Sequence, residues 1–341
     1  MQTPSFELIQ RIASAYGLDA ARVHAPQTGY RNHSYALDLT DGSRANLIVY
    51  KREEHILPRI QLANTLGTYL AERGLPVRYP LDPRITAMSG ARGTRYAAIY
   101  NYLPGHTIAW ESYTRKHIKL MGEAMSHMHD ALRQLDTPAP LVADEYGAIF
   151  RNMHNYFSDR HVAGALRSKL GLKLDPYQIT RQLRLLHHSR TFPGTQLLHL
   201  DFVRSNLLFD ATIDAPKSRF KRGGVALTGI IDLEKAAIGH PLFDIARTIA
   251  FLLVDCESKT PKQIRKFFLK SGYNKRGPAT YRAEWDQLLD YFIDFFLIHD
   301  FYKFLKHNPY ESLPENHHFR RTRDLLLERN LLISLEVTAI P

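Results

Sequence analysis

The sequence predicts an α+β protein: a strand-rich part over roughly the first hundred residues, then a larger and mainly helical part. Three observations predict it. Short apolar runs flank an Asp-Gly pair near the N-terminus. Pro104-Gly105 breaks the chain after a run rich in Tyr and Ile. Beyond that break, helical periodicity dominates. The boundary falls near Gly105 and divides the chain into 1–104 and 105–341.

Within the first part, Ser34–Leu39 and Ala45–Lys51 alternate or run apolar, and Asp41-Gly42 between them is a hairpin signal. A helix is expected from near Pro58 to just before Gly74, since Pro suits a first turn and Gly the position past a last one. Tyr96–Leu103 reads as a further strand. The first hundred residues are thus strands around one helix. Beyond the break, Glu111–Leu132 repeats apolar residues at helical spacing through Ile118, Met121, Met125, Met128 and Leu132. Parts of Asn152–Leu170, Pro176–His188, Pro241–Val254, Tyr281–Leu305 and Arg320–Leu335 are also helical. Gln196–Leu200, Leu207–Phe209 and Val225–Leu233 read as strands joined by turns. A crevice between two lobes is a preferred place for a ligand.

Hydrophobic residues make up 44% of the 341 and charged residues 23%, which excludes a disordered or collagen-like chain. A single cysteine, Cys256, excludes an internal disulfide framework and a Cys-based zinc site. Lys and Arg outnumber the acids 45 to 34, a formal charge of +11 that suits anionic partners or simple solubility. The most apolar stretches are broken by Arg247 in one case and by Asp294, His299, Asp300 and Lys303 in the other. Neither reaches the roughly 20 residues a membrane span needs. With no secretory signal at the N-terminus, a cytoplasmic protein with no membrane partner is expected.

The sharpest pattern is His199-Leu200-Asp201-Phe202-Val203-Arg204-Ser205-Asn206, directly after a short strand, followed by Ile231-Asp232-Leu233-Glu234 at the end of another. Upstream, Lys51 closes a strand. Each part has a task if the reactants are ATP and a hydroxyl compound. A carboxylate can orient the hydroxyl and accept its proton, an Asn and an Asp can hold Mg2+, and a Lys can neutralise phosphate charge.

These residues resemble the aminoglycoside phosphotransferase and choline kinase superfamily, small-molecule kinases of protein-kinase-like fold. The likeness continues in Gly239-His240-Pro241-Leu242-Phe243-Asp244-Ile245-Ala246, in the Gly29–Tyr35 turn, in the Leu47–Lys51 strand, in Tyr102-Leu103-Pro104-Gly105 and in the helix ending at His129. The matches run in order over about 28–250. The resemblance implies a two-lobed fold, with 1–104 binding nucleotide and 105–341 carrying the catalytic loop and the acceptor site. It makes Asp201 the catalytic aspartate, Asn206 and Asp232 the Mg2+ ligands, and His199 and Asp244 braces of the loop. Lys51 is implied to meet the α- and β-phosphates, with Gly29, Asn32 and Ser34 in the turn over the nucleotide. Tyr100, Asn101, Tyr102 and Leu103 form the hinge against adenine, and Glu234 stands near metal or acceptor. The implied partners are ATP and a small hydroxyl compound; aminoglycosides, choline, homoserine, other amino alcohols and sugars all suit the family.

Three departures stand out. The helix expected to supply a glutamate to Lys51 has none; Gln61 offers only a hydrogen bond, and Glu53 or Glu54 could serve only if the helix began earlier. His240 replaces the usual Asp of its turn. No Gly-x-Gly-x-x-Gly or P-loop motif occurs, so the phosphate turn rests on Gly29. Two rival readings stand beside the kinase. The missing glutamate suggests a nucleotide-binding pseudokinase with a regulatory role, and the charge of +11 a nucleic-acid-binding protein. The adjacent histidines are read as structural, Met121, Met125 and Met128 as core, and Lys217, Arg219, Lys221 and Arg222 as a solvated basic loop.

Overall fold

The structure, a computed structural model, describes residues 5–28, 32–90, 93–210 and 219–335, excepting the side chains of Gln27 and Thr28. By its internal contacts the chain forms two units. One comprises Met1–Thr107, Asn206–Arg219 and Ala226–Lys235. The other comprises Ile108–Ser205, Phe220–Val225 and Ala236–Pro341.

The first unit begins with helix α1 (Phe6–Ala15), then strands β1 (Ala20–Val23), β2 (Gln27–Thr28), β3 (His33–Leu39) and β4 (Arg44–Val49). Helix α2 (Ile56–Glu72), β5 (Thr86–Met88) and β6 (Arg95–Asn101) follow. The strands form one antiparallel sheet in the order β1-β3-β4-β6-β5, with β2 also on β3. The hairpin register pairs His33 with Val49 and Asp38 with Arg44, turning at Gly42 in the left-handed region.

Side chains alternate between faces along a strand, and here both faces are covered. Leu47, Val49, Ala97 and Ile99 point to one side, where Ile9, Ile12, Ala13 and Tyr16 pack on them. Ile48, Tyr50, Ala98 and Tyr100 point to the other, against Ile56 and Ile60 of α2. That double cover explains why β4 reads as a continuous apolar run rather than an alternation.

Helix α1 corrects the expectation of one helix in the first hundred residues. Its signals are ordinary: Ser5 accepts the Leu8 N–H at 3.3 Å as N-cap, and Leu8, Ile9, Ile12, Ala13 and Tyr16 recur at helical spacing. Helix α2 begins two residues before Pro58, after His55 in the left-handed region, and ends before Gly74.

The rest of the chain contains α3 (Arg115–Leu132), α4 (Val142–Ser158), α5 (Arg160–Leu170), β7 (Leu172–Lys173), α6 (Pro176–His188) and β8 (Gln196–Leu198). Then come β9 (Leu207–Asp210), β10 (Lys221–Arg222), β11 (Val225–Ile230), β12 (Ala237–Gly239) and α7 (Leu242–Asp255). It closes with α8 (Pro261–Arg265), a π-helical stretch Lys266–Tyr273, α9 (Asn274–Arg276), α10 (Asp286–His307), α11 (His317–Glu328) and β13 (Ile333–Ser334). In the first unit, β9 pairs antiparallel with β11, and Gly105 (φ +103°) sits so near the Phe209 carbonyl and the Thr228 hydroxyl that a Cβ there would clash.

In the second unit, β8 pairs with β12, and α7 packs on α10 and α11. Helix α10 carries buried residues all round, from Leu289 through Phe295, Phe296, Ile298 and Phe301 to Leu305, as an enclosed helix must. Met121, Met125 and Met128 are core. Gly122 admits the Phe268 carbonyl where a Cβ would come within 2.2 Å of it, so α3 lies tight against the π-helical stretch. Among the described residues no helix is long and apolar enough to cross a membrane.

Candidate active site

The loop between β8 and β9 holds the His-x-Asp pattern, and one face of α7 holds the loop. Asp244 lies in the first turn of α7. Its Oδ2 accepts the His199 N–H at 2.9 Å, and its Oδ1 accepts the Leu200 N–H at 2.6 Å. One turn further, Arg247 donates to Asp201 Oδ1 from Nε at 3.2 Å and from a terminal nitrogen at 2.5 Å. Thr248 then donates its hydroxyl to the Phe202 carbonyl at 2.7 Å. Positions i, i+3 and i+4 of a helix share a face, so three side chains of one stripe secure four consecutive loop residues.

This support explains a strained backbone. Leu200 has φ +57°, a conformation that costs a branched L-residue roughly 1–2 kcal/mol. Hydrogen bonds to a charged group contribute about 1.5–3 kcal/mol each, so the two Asp244 bonds outweigh the strain. Asp244 is 1% exposed. Burial alone would push its carboxyl up, but the His129 hydrogen bond and the His129 and His199 rings overcome this and hold it below the ordinary carboxylate range. His129 reaches Asp244 Oδ2 from Nε2 at 3.1 Å, and its Nδ1 lies 2.7 Å from the Tyr273 hydroxyl. His199 is fully buried, and its Nδ1 accepts the Asp201 N–H at 3.2 Å.

The His240 departure has a local explanation. Its Nδ1 accepts the Leu242 N–H at 3.3 Å, serving the first turn of α7 as a short acidic side chain would, while the ring packs on Trp285 and Phe192. Burial, with His129 nearby, pushes its pKa down to about 4, so the imidazole stays a neutral acceptor.

The acidic pair belongs to the first unit. Asn206 precedes β9, and its carbonyl accepts the Ile231 N–H at 3.0 Å, which ties it to the strand end leading into Asp232. Asp232 has φ +68°, a left-handed conformation that Asp tolerates. Glu234 follows in a 3-10 turn, 8% exposed. Its Oε1 accepts the Tyr50 hydroxyl and an Arg78 guanidinium N–H, each at 3.0 Å. The Tyr50 and Tyr100 hydroxyls are 2.6 Å apart, and Tyr100 donates to Asn64 at 2.9 Å. Burial pushes the Glu234 carboxyl up to about 7; Arg78 opposes this and the neighbouring Asp232 reinforces it.

Lys51 forms an ion pair with Glu53. Glu53 lies outside α2, and Gln61 within α2 is exposed, so the helix supplies neither the glutamate nor the amide considered for this lysine. The Lys51 N–H donates to Asn32 Oδ1 at 3.2 Å. Ser34 donates its hydroxyl to Asn46 at 2.8 Å. Gly29 lies outside the described residues. Around the expected hinge, the Tyr100 side chain is buried against α2, and Asn101 Oδ1 accepts the Tyr79 N–H at 2.8 Å. Arg44 stacks on Tyr102 at 3.8 Å, and Leu103 is half-buried.

The structure therefore gathers His199, Asp201 and Asp244 in one unit, and Asn206, Asp232 and Glu234 in the other. It adds three residues that sequence reasoning missed, Arg247, Arg78 and Tyr50, and it pairs Glu53, considered only within an earlier-starting helix, with Lys51 from outside α2. Arg247 carried a signal, a lone charge inside the apolar run Ile245–Val254, because a buried charge needs a partner. Among the described residues no three His, Cys, Asp or Glu side chains gather as a metal centre. Asn206 and Asp232 still suit a hard divalent cation that takes its remaining oxygens from a ligand or water.

A model of the phosphotransferase enzyme family matches residues 22–283. The chain belongs to this phosphotransferase family. A homoserine kinase of Methylobacillus flagellatus is 26% identical over 249 residues, covering 72% of this chain and 68% of that one. Amicoumacin kinase hAmiN, solved with AMP-PNP, Ca2+ and amicoumacin, superposes with a TM-score of 0.70 at 14% identity, over 96% of this chain and 95% of its own. A microcompartment-associated aminopropanol kinase gives 0.69 at 15% identity, over 98% and 100%. These neighbours share the α+β, protein-kinase-like fold expected from the sequence. As a member of the family, the protein is a phosphotransferase.

Proposed function

We propose that the chain transfers the γ-phosphoryl group of ATP to a hydroxyl of a small molecule, with Asp201 as the catalytic residue. The observation that carries this reading is the α7 stripe, which secures both the backbone and the carboxylate of the Asp201 loop. The AMP-PNP and Ca2+ in the amicoumacin kinase complex support a nucleoside triphosphate and a divalent cation here.

In this reading the Asp201 carboxylate orients the acceptor hydroxyl and takes its proton. The acceptor oxygen bonds to the γ-phosphorus as the bond to the β–γ bridging oxygen breaks, releasing ADP. Lys51, aligned by Glu53, neutralises the α- and β-phosphates. Asn32, just before β3, and Ser34, within it, contact the nucleotide, and the 100–103 backbone meets adenine. Asn206 and Asp232 would hold Mg2+ through side-chain oxygens, with Glu234 behind them. When bound, the cation supplies charge neutralisation along the phosphates. His199 and Asp244 brace the loop. The pseudokinase reading rests on a helix that gives Lys51 no glutamate; α2 gives none, and the acid paired with Lys51 from outside the helix, Glu53, supports turnover instead.

The test is ADP release from ATP and Mg2+ across L-homoserine, 1-amino-2-propanol, choline, sugars and aminoglycosides, with Asp201→Asn in parallel. Acceptor-dependent turnover that this substitution abolishes is expected. Parental turnover in Asp201→Asn overturns the assignment of Asp201.

A further inference from the structure

We propose that Arg247 is a positioning residue for phosphoryl transfer, acting through Asp201. The inference rests on the reading of Asp201 given above and adds a second requirement to it.

Both Arg247 contacts to Asp201 end on the same oxygen, Oδ1, at 3.2 and 2.5 Å. Two donors of one planar guanidinium converging on that oxygen pin Oδ1 in place, and with it the rotation of the carboxylate, besides balancing its charge. The fork is itself enclosed by other side chains. Its remaining terminal nitrogen lies 3.4 Å from the Tyr146 hydroxyl, and its carbon sits 5.2 Å from the Phe251 ring centre and 5.5 Å from that of Phe296. Tyr146 is held edge-on against Phe295, Phe296 and His299. Arg247 and Asp201 are each 5% exposed, so water does not compete for the bond.

A guanidinium needed only to balance charge could sit anywhere near the carboxylate. This one arises from the same helical stripe as Asp244, which sets the loop backbone. Backbone and side chain of the loop are therefore referenced to a single rigid element. Holding a reacting group in its productive orientation contributes to the chemical step rather than to nucleotide binding. Arg247 accordingly governs kcat through the orientation of Asp201.

The experiment compares Arg247→Lys, Arg247→Gln and Asp201→Asn with the parent. It reads kcat and KM for ATP with the fastest acceptor of the panel above, together with Mg-ATP affinity by calorimetry and the melting temperature. Arg247→Gln should lower kcat about 100-fold, with KM for ATP and Mg-ATP affinity within about threefold. Arg247→Lys, which restores the charge but not the fork, should recover roughly a tenth of the parental kcat. If Arg247→Gln does not fold, Arg247→Lys decides alone. Parental kcat in Arg247→Lys or Arg247→Gln, with Asp201→Asn inactive, overturns this proposal and leaves Asp201 standing. A loss of Mg-ATP affinity that parallels the loss of kcat also overturns it. Parental kcat in Asp201→Asn overturns the reading beneath it.

Discussion

Lys51 pairs with Glu53, two residues further along the chain, and not with any residue of α2. The pair is partly exposed, with side chains 24% and 30% accessible. Exposed pairs contribute up to about 1 kcal/mol. Glu53→Gln should therefore raise KM for ATP by about two- to fivefold and leave kcat little changed. Gln61→Ala should change neither. Steady-state kinetics with varied ATP checks both, and a large effect of Gln61→Ala would return the role to the helix.

Asp244→Asn keeps the shape of the side chain but turns one acceptor into a donor that faces a backbone N–H. The expected loss is about 3 kcal/mol, the scale of an unsatisfied buried group beside a broken charged bond. Urea unfolding reads the loss. Turnover should fall with it, because Leu200 is then no longer held in its left-handed conformation.

His240 gives the fold a pH dependence with a defined sign. Its folded pKa of about 4 lies below the ordinary 6.5. Between those values the unfolded chain takes up a proton that the folded chain refuses, so this contribution is complete above pH 6.5 and declines as pH falls to 4. Glu234, raised from 4.5 to about 7, acts with the opposite sign: its contribution is complete below pH 4.5 and is lost as pH rises through 7. The parental curve alone mixes the two. The stability difference between the parent and His240→Asn isolates the histidine, and should shrink by up to about 3 kcal/mol between pH 7 and pH 4. A difference that stays level over that range contradicts a neutral buried imidazole.

Helix α1 closes one face of the sheet, and Ile9 in it is fully buried. Ile9→Ala should cost about 2–5 kcal/mol and lower the urea midpoint without changing KM for ATP. A shift under about 0.5 kcal/mol would mean that α1 contributes little to the cover of β4.

Much of this was legible where the signal is local. The β3–β4 hairpin follows from alternation around Asp41-Gly42, α2 from Pro58 and Gly74, and the Asp201 loop from residues adjacent in the chain. What escaped was long-range or geometric. Arg247 lies 46 residues from Asp201, and Arg78 lies 156 from Glu234. No periodicity announces such partners. Glu53 is near Lys51 in sequence, but its use depends on the turn before α2, where His55 takes a left-handed conformation. Helix α1 does carry a cap at Ser5 and an apolar stripe, local signals that a reading of strands around one helix leaves out.

The stripe on α7 works as a ruler. Residues 244, 247 and 248 keep their mutual spacing through helical pitch alone, at 1.5 Å of rise and 100° of rotation per residue. Accuracy in the neighbouring loop is thus borrowed from a regular element. A single residue inserted between 245 and 246 would swing Arg247 and Thr248 a quarter-turn or more from their partners. The loop would be left chemically intact and mechanically unaddressed.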